Sequence, residues 1–181
     1  MKLLKSLVLT ASLTTLLAAN PLYAKDADTT KITPAEANAL ATIAAIDKNE
    51  IVVSVVASNE KVPSDTVDFA KMMIDQHGAN LAQILQMAHS MHIPLANGAA
   101  DKLCAQGKKD LLALGALQGD EFNKAYVNAM VSGHEAALKL IDTELMKTAT
   151  NETVKKFMTD TRAAVVEHLE HAKKLQASLK A

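Results

Sequence analysis

Apolar residues recur along this chain at alternating spacings of three and four, and in four segments a histidine or glutamate stands where the next apolar residue is due. After Ser64, the positions Val67, Ala70, Ile74, Leu81, Ile84, Ala88 and Met91 mark one stripe, and His77 fills its one wide gap. After Asp120, Val127, Met130, Ala137, Ile141 and Leu145 mark another, with His134 in the missing place. After Asn151, Val154, Met158, Val165, Ala172, Leu175 and Leu179 form a third, with Thr161 and His168 in line. Nearer the start, Ile43, Ile46, Val53 and Ala57 bracket Glu50. Such spacing predicts one buried face of an α-helix. A buried imidazole or carboxylate is costly unless paired. One on each of four helices points to a shared interior site.

Local signals set the boundaries. Thr33-Pro34-Ala35-Glu36 joins a Thr cap, Pro at the first helical position and Glu three after the cap, so a helix starts here and runs to about Asn59. Ser64 or Asp65 is expected to cap a second helix that ends before Pro94. From Ala99 to Leu117 the pattern weakens, and Leu103, Leu111, Leu112, Leu114 and Leu117 predict one or two short helices interrupted near Gly107. Gly119-Asp120 is expected to cap a third long helix reaching about Thr148, and Thr150 or Asn151 a fourth reaching the C-terminus. Tight links near 60–64 and 148–151, with a long, partly helical connection between helices 2 and 3, predict an all-α, ferritin-like four-helix bundle over residues 33–181. Counted from the tight links at about 1.5 Å per residue, Glu50 and His77 lie within roughly 8 Å along the axis, and His134 and His168 within roughly 3 Å.

The first residues change the picture. Lys2 and Lys5 precede an uncharged, largely apolar run over residues 6–19, and Ala24 follows shortly after. A basic start, short apolar core and small terminal residue describe a cleavable secretory signal over residues 1–24, too short for a span of about 20 residues. Residues 25–32 lack pattern and read as a mobile mature terminus. The expected location is periplasmic or secreted, with no stable membrane span after cleavage. Loss of Lys2 and Lys5 moves the formal charge from −1 to −3, with no basic stripe, which excludes electrostatic nucleic-acid binding. The single cysteine, Cys104, makes no internal disulfide. Trp is absent and Ala, Leu and Met are abundant, which suits helix packing.

Several segments resemble the family catalogued as domain of unknown function 4142, exported bacterial proteins of the ferritin-like superfamily. The resemblance covers most of residues 34–177. It rests on Glu50 with Ser54 and Ala57, on Phe69-Ala70-Lys71-Met72-Met73-Ile74 leading to His77, and on Gly119-Asp120-Glu121-Phe122-Asn123-Lys124-Ala125-Tyr126. Met130-Val131 before His134, and His168-Leu169 with Ala172, complete it. Gln76 stands where the family usually has an acidic residue, and Arg162-Ala163 replaces a common Leu-Pro pair, which predicts a straighter last helix. The resemblance implies a fold and an exported location; the family has no settled activity.

For chemistry, three imidazoles and a carboxylate suit one transition-metal ion (Zn, Fe, Cu or Mn) held by Glu50, His77, His134 and His168. A di-iron centre needs Glu-x-x-His on two helices, and Val131 and Val165 occupy those positions. Two alternatives stand beside metal binding. One is an envelope stress or interaction scaffold whose quartet is a purely structural network, with Ser54 and Tyr126 as partners. The other is a redox enzyme at a mononuclear metal centre. His171, one turn from His168, reads as solvated. Met87, His89, Met91 and His92 would interest Cu(I), although packing explains the methionines more simply. No phosphate loop, nucleophile elbow or His-Glu-x-x-His occurs, which favours binding over catalysis.

Overall fold

A computed structural model describes residues 31–179, and among these the chain is all-helical: α1 (Pro34–Asn59), α2 (Ser64–Met91), α3 (Gly98–Gly115), α4 (Gly119–Leu140) and α5 (Glu152–Ser178). The expected secretory signal lies outside the described residues. Ile32, at the end of the segment read as a mobile terminus, packs against the core. No described helix is long and apolar enough to cross a membrane.

The sequence signals and the observed ends agree best where a side chain caps. Thr33 and Glu36 form a full capping box at α1, and Asn151 accepts from the Thr153 and Val154 amides to start α5. Two starts differ from expectation. Ser64 lies inside α2 and neither it nor Asp65 caps; the Pro63 carbonyl takes the first bonds, from the Thr66 and Val67 amides. The residue before α4 is Gln118, which makes no side-chain cap, while Gly119 adopts φ +56°, a value that favours glycine. His92 ends α2 in the left-handed region, and the Ile93 amide bonds back to the Ala88 carbonyl. The run after α4 does reach Thr148, but through a π turn (Ile141–Leu145) and a 3-10 turn (Met146–Thr148).

Contrary to the interruption expected near Gly107, α3 is one continuous helix. Gly107 is a packing device rather than a breaker: a Cβ there would overlap the Asn49 side chain, whose Nδ2 donates to the Leu103 carbonyl at 2.9 Å. The missing side chain lets α3 lie close on α1.

Two helix hairpins, α1–α2 and α4–α5, make the main body, and α3 packs chiefly on α1. Flanked on two sides, the first half of α1 is buried almost all round, from Ala39 to Ala45. The core then divides into two apolar clusters along the bundle. One contains Leu40, Ile43, Ile84, Ile141, Met158 and Val165; the other contains Ala57, Phe69, Met73, Phe122, Tyr126 and Ala172. The α2 stripe is turned slightly from its sequence reading, since Phe69 and Met73 are fully buried while Val67 and Ile74 are half-buried. Each long helix passes from one cluster to the other through a polar residue.

Candidate metal centre

That polar layer gathers side chains from four helices. The segment of α1 between Ala44 and Val53 supplies Asp47 and Glu50, and His77, His134 and His168 fill the corresponding gaps in α2, α4 and α5. One nitrogen from each imidazole lies within 4.8 Å of the other two, and the ring centroids are 5.1–5.8 Å apart. The three histidines are 2–4% exposed.

Each ring has one nitrogen engaged outside the cluster. His77 Nδ1 pairs with Asp47 Oδ1 at 2.8 Å. His134 Nδ1 donates to the Met130 carbonyl, four residues back on its own helix, at 2.8 Å. His168 Nε2 donates to Gln76 Oε1 at 2.7 Å. These bonds leave His77 Nε2, His134 Nε2 and His168 Nδ1 buried and, among the described residues, without hydrogen-bond partners. The same holds for Asp47 Oδ2 and Glu50 Oε2.

Burial sets the electrostatics. It lowers the His134 pKa, against the opposing pull of the Glu50 charge. It also lowers the His168 pKa, with His77, His134 and His171 adding to the effect, to about 3. Both imidazoles are therefore neutral at pH 7, the form that offers a lone pair. Burial pushes the Asp47 carboxyl up, while the His77 hydrogen bond and charge oppose that rise. Tyr126 is also raised by burial, and its hydroxyl is 3.0 Å from the Ser54 hydroxyl. Ser54 and Tyr126, considered as partners for the histidines, bond to one another instead.

Of the four residues read from sequence, the three histidines come together. Glu50 stands outside the set of three, half-buried, with Oε1 beside Gly133 and Oε2 turned into the protein. The residue missed is Asp47, 1% exposed. A signal for it existed. Leu40, Ile43, Asp47, Glu50, Ser54 and Ala57 also recur at three and four, and three of those six positions are polar. Asp47 is about 14 residues before Lys61 and His77 about 16 after it, a closer match in height than Glu50 makes. His171 is half-buried with its ring edge-on to Phe69, centroids 5.0 Å apart. His89 and His92 are exposed, Met87 and Met91 pack against the core, and Cys104 is a half-buried thiol beside the small Ala41, Ala45 and Ala100 cluster.

The sequence model of the family described as Domain of unknown function (DUF4142) matches residues 22–175. The chain belongs to this family. No curated protein and no solved structure gave a match. In this DUF4142 chain Gln76, where an acidic residue was expected, holds His168 in place. Arg162-Ala163 lies within an unbroken α5, and Arg162 makes a two-pronged pair with Asp142 at 2.5 and 3.0 Å.

Proposed function

We propose that this DUF4142 protein is exported to the cell envelope and binds one first-row transition-metal ion through His77 Nε2, His134 Nε2 and His168 Nδ1. Binding, rather than turnover, is the activity assigned. The observation that carries the reading is the split role of the rings: one nitrogen of each is held by the protein and the other is buried and unpartnered, in three rings that each offer a nitrogen within 4.8 Å of the other two. Metal-binding histidines characteristically anchor the second nitrogen on a carboxylate or carbonyl, which fixes both tautomer and ring orientation. Asp47, Met130 and Gln76 take those anchoring places.

Distances and energies support the same reading. Three nitrogens about 2.0–2.1 Å from a tetrahedral zinc are about 3.4 Å apart, inside the 4.8 Å limit found here. A purely structural network accounts for one nitrogen of each ring only. Each buried polar atom left over costs about 1–3 kcal/mol, so the three nitrogens together cost about 3–9 kcal/mol, a large part of the roughly 5–15 kcal/mol that holds a whole domain folded. An all-imidazole set suits zinc or copper, and iron or manganese less well, because the latter two favour more oxygen donors.

Cobalt(II) titration of untagged, chelator-treated protein tests the proposal. The expected result is one equivalent taken up with visible d–d bands, displaced by zinc and absent in His134→Ala. Cobalt uptake no greater than that of His134→Ala would overturn it. For export, Lys2, Lys5 and the apolar run after them are the support. N-terminal sequencing of the mature protein is expected to begin at Lys25, and a retained Met1 contradicts that part.

A further inference from the structure

A cavity also opens beside α1. A groove of about 450 Å³ runs between α1, α3 and α4, within the 300–1,000 Å³ typical of small-molecule sites. Its walls are mainly aliphatic, with Ile46 and Val53 on α1, Leu103 and Leu114 on α3, and Met130 and Leu140 on α4. The groove stands open because α3 is fastened to α1 and only lightly to α4. Ala41 and Ala45 pack on Ala100, Asn49 bonds the Leu103 carbonyl, and Asn97 bonds the Asn38 carbonyl at 3.1 Å. Leu111 and Leu114, near the end of α3, link it to the core shared with Phe122 and Tyr126.

The charges in the groove are of one sign. Glu50 and Asp110 line it, and among the described residues no Lys, Arg or His does. Asp110 is exposed at the rim, where Gln106 Nε2 donates to it at 2.8 Å. Glu50 sits deeper, and its Oε1 is 3.4 Å from where a side chain on Gly133 would begin, Gly133 being part of the wall. Glu50 Oε1 therefore lies on the groove side of the carboxylate. Among the described residues no salt bridge or hydrogen bond engages the Glu50 carboxylate. An aliphatic trough with an unpaired carboxylate on its floor matches a molecule that is apolar along its length and cationic at one end. A hydrated inorganic ion would gain nothing from the aliphatic walls, and an anion would meet two like charges.

We propose that this groove binds a small soluble amphiphilic amine, its aliphatic part on Ile46, Val53, Leu114 and Leu140 and its ammonium group at the Glu50 carboxylate. The site is separate from the three-histidine centre and needs no metal. Calorimetric titration of the metal-free protein with octylammonium, octanoate and octanol, each below its micellar concentration or solubility limit, tests it. Octylammonium binds one to one, and octanoate at least tenfold more weakly. Glu50→Gln weakens octylammonium at least tenfold and leaves octanol unchanged. Ala136→Trp, at an exposed position on the groove wall, removes binding of all three while the helical circular dichroism is retained. Equal binding of amine and carboxylate, no binding of the amine, or full binding by Ala136→Trp would each overturn the proposal. None of these outcomes bears on cobalt uptake by the histidines, so the two sites stand or fall separately.

Discussion

Glu36, at one end of the bundle, and the Asp47–histidine layer at its middle are both buried and both ionisable, yet one is fully hydrogen-bonded and the other only in part. Glu36 is 0% exposed. Its Oε2 accepts from the Thr33 amide and hydroxyl at 2.7 and 2.9 Å. Its Oε1 accepts from the Thr150 and Asn151 amides at 2.7 and 2.6 Å, and from the Thr150 hydroxyl at 3.2 Å. One carboxylate thus caps α1 and pins the start of α5. Burial alone would raise its pKa, but hydrogen bonds from the backbones of Asn151, Thr33 and Thr150 hold it down to about 2. The mid-bundle layer leaves five buried atoms without partners. The contrast separates a polar group that the fold has satisfied from groups that the fold has merely placed. Satisfied groups hold the structure, whereas placed groups await a ligand.

The largest effect that would sharpen the contrast is metal-linked stability. Zinc at about a thousand times its Kd should stabilise the protein by about 4 kcal/mol. At about 2–4 °C per kcal/mol for a domain of this size, Tm should rise by roughly 8–16 °C in wild type and in Glu36→Gln alike. His134→Ala should show no rise, and a rise there would break the distinction between the two regions.

The next effect belongs to Glu36. A carboxylate whose folded pKa lies below its ordinary 4.5 contributes stability that is fully present above 4.5 and is lost as pH falls towards about 2. At 1.36 kcal/mol per pH unit this is about 3 kcal/mol. Denaturation of the metal-free protein should show Glu36→Gln about 3 kcal/mol less stable at pH 7, with the gap closing between pH 4.5 and 2. An unchanged gap at pH 2 would mean the clamp does not act through its charge.

The smallest is Asp47→Asn. An amide keeps the shape and can still bond His77, but it orients the ring less firmly and lacks the charge. Zinc affinity measured by competition with a chelator dye should fall about 10–100-fold, with little change in metal-free stability. Loss of folding instead would place Asp47 with Glu36 as a structural group.

How much of this was legible in the sequence follows from the range of each interaction. The α1 and α5 starts were readable because Thr33 with Glu36, and Asn151, act within one turn. The three histidines were readable because each interrupts an otherwise apolar stripe, and counting from the tight links put them at similar heights. Asp47 was not singled out, because the first half of α1 is mostly Ala, Leu and Ile and offers several stripes of equal quality. The second task of Glu36 spans 114 residues to Thr150 and leaves no local trace. Gly107 resembled a helix breaker because the Asn49 side chain that occupies its missing Cβ comes from another helix. Short-range chemistry was visible; what depended on the approach of two helices was not.

X-ray absorption at the zinc edge of the protein loaded with one equivalent tests the central claim most directly. The account predicts a first shell near 2.0–2.1 Å with the multiple-scattering pattern of three imidazoles, reduced to two in His168→Ala. A shell of oxygen donors with no imidazole scattering, or one unaltered by that substitution, would contradict it.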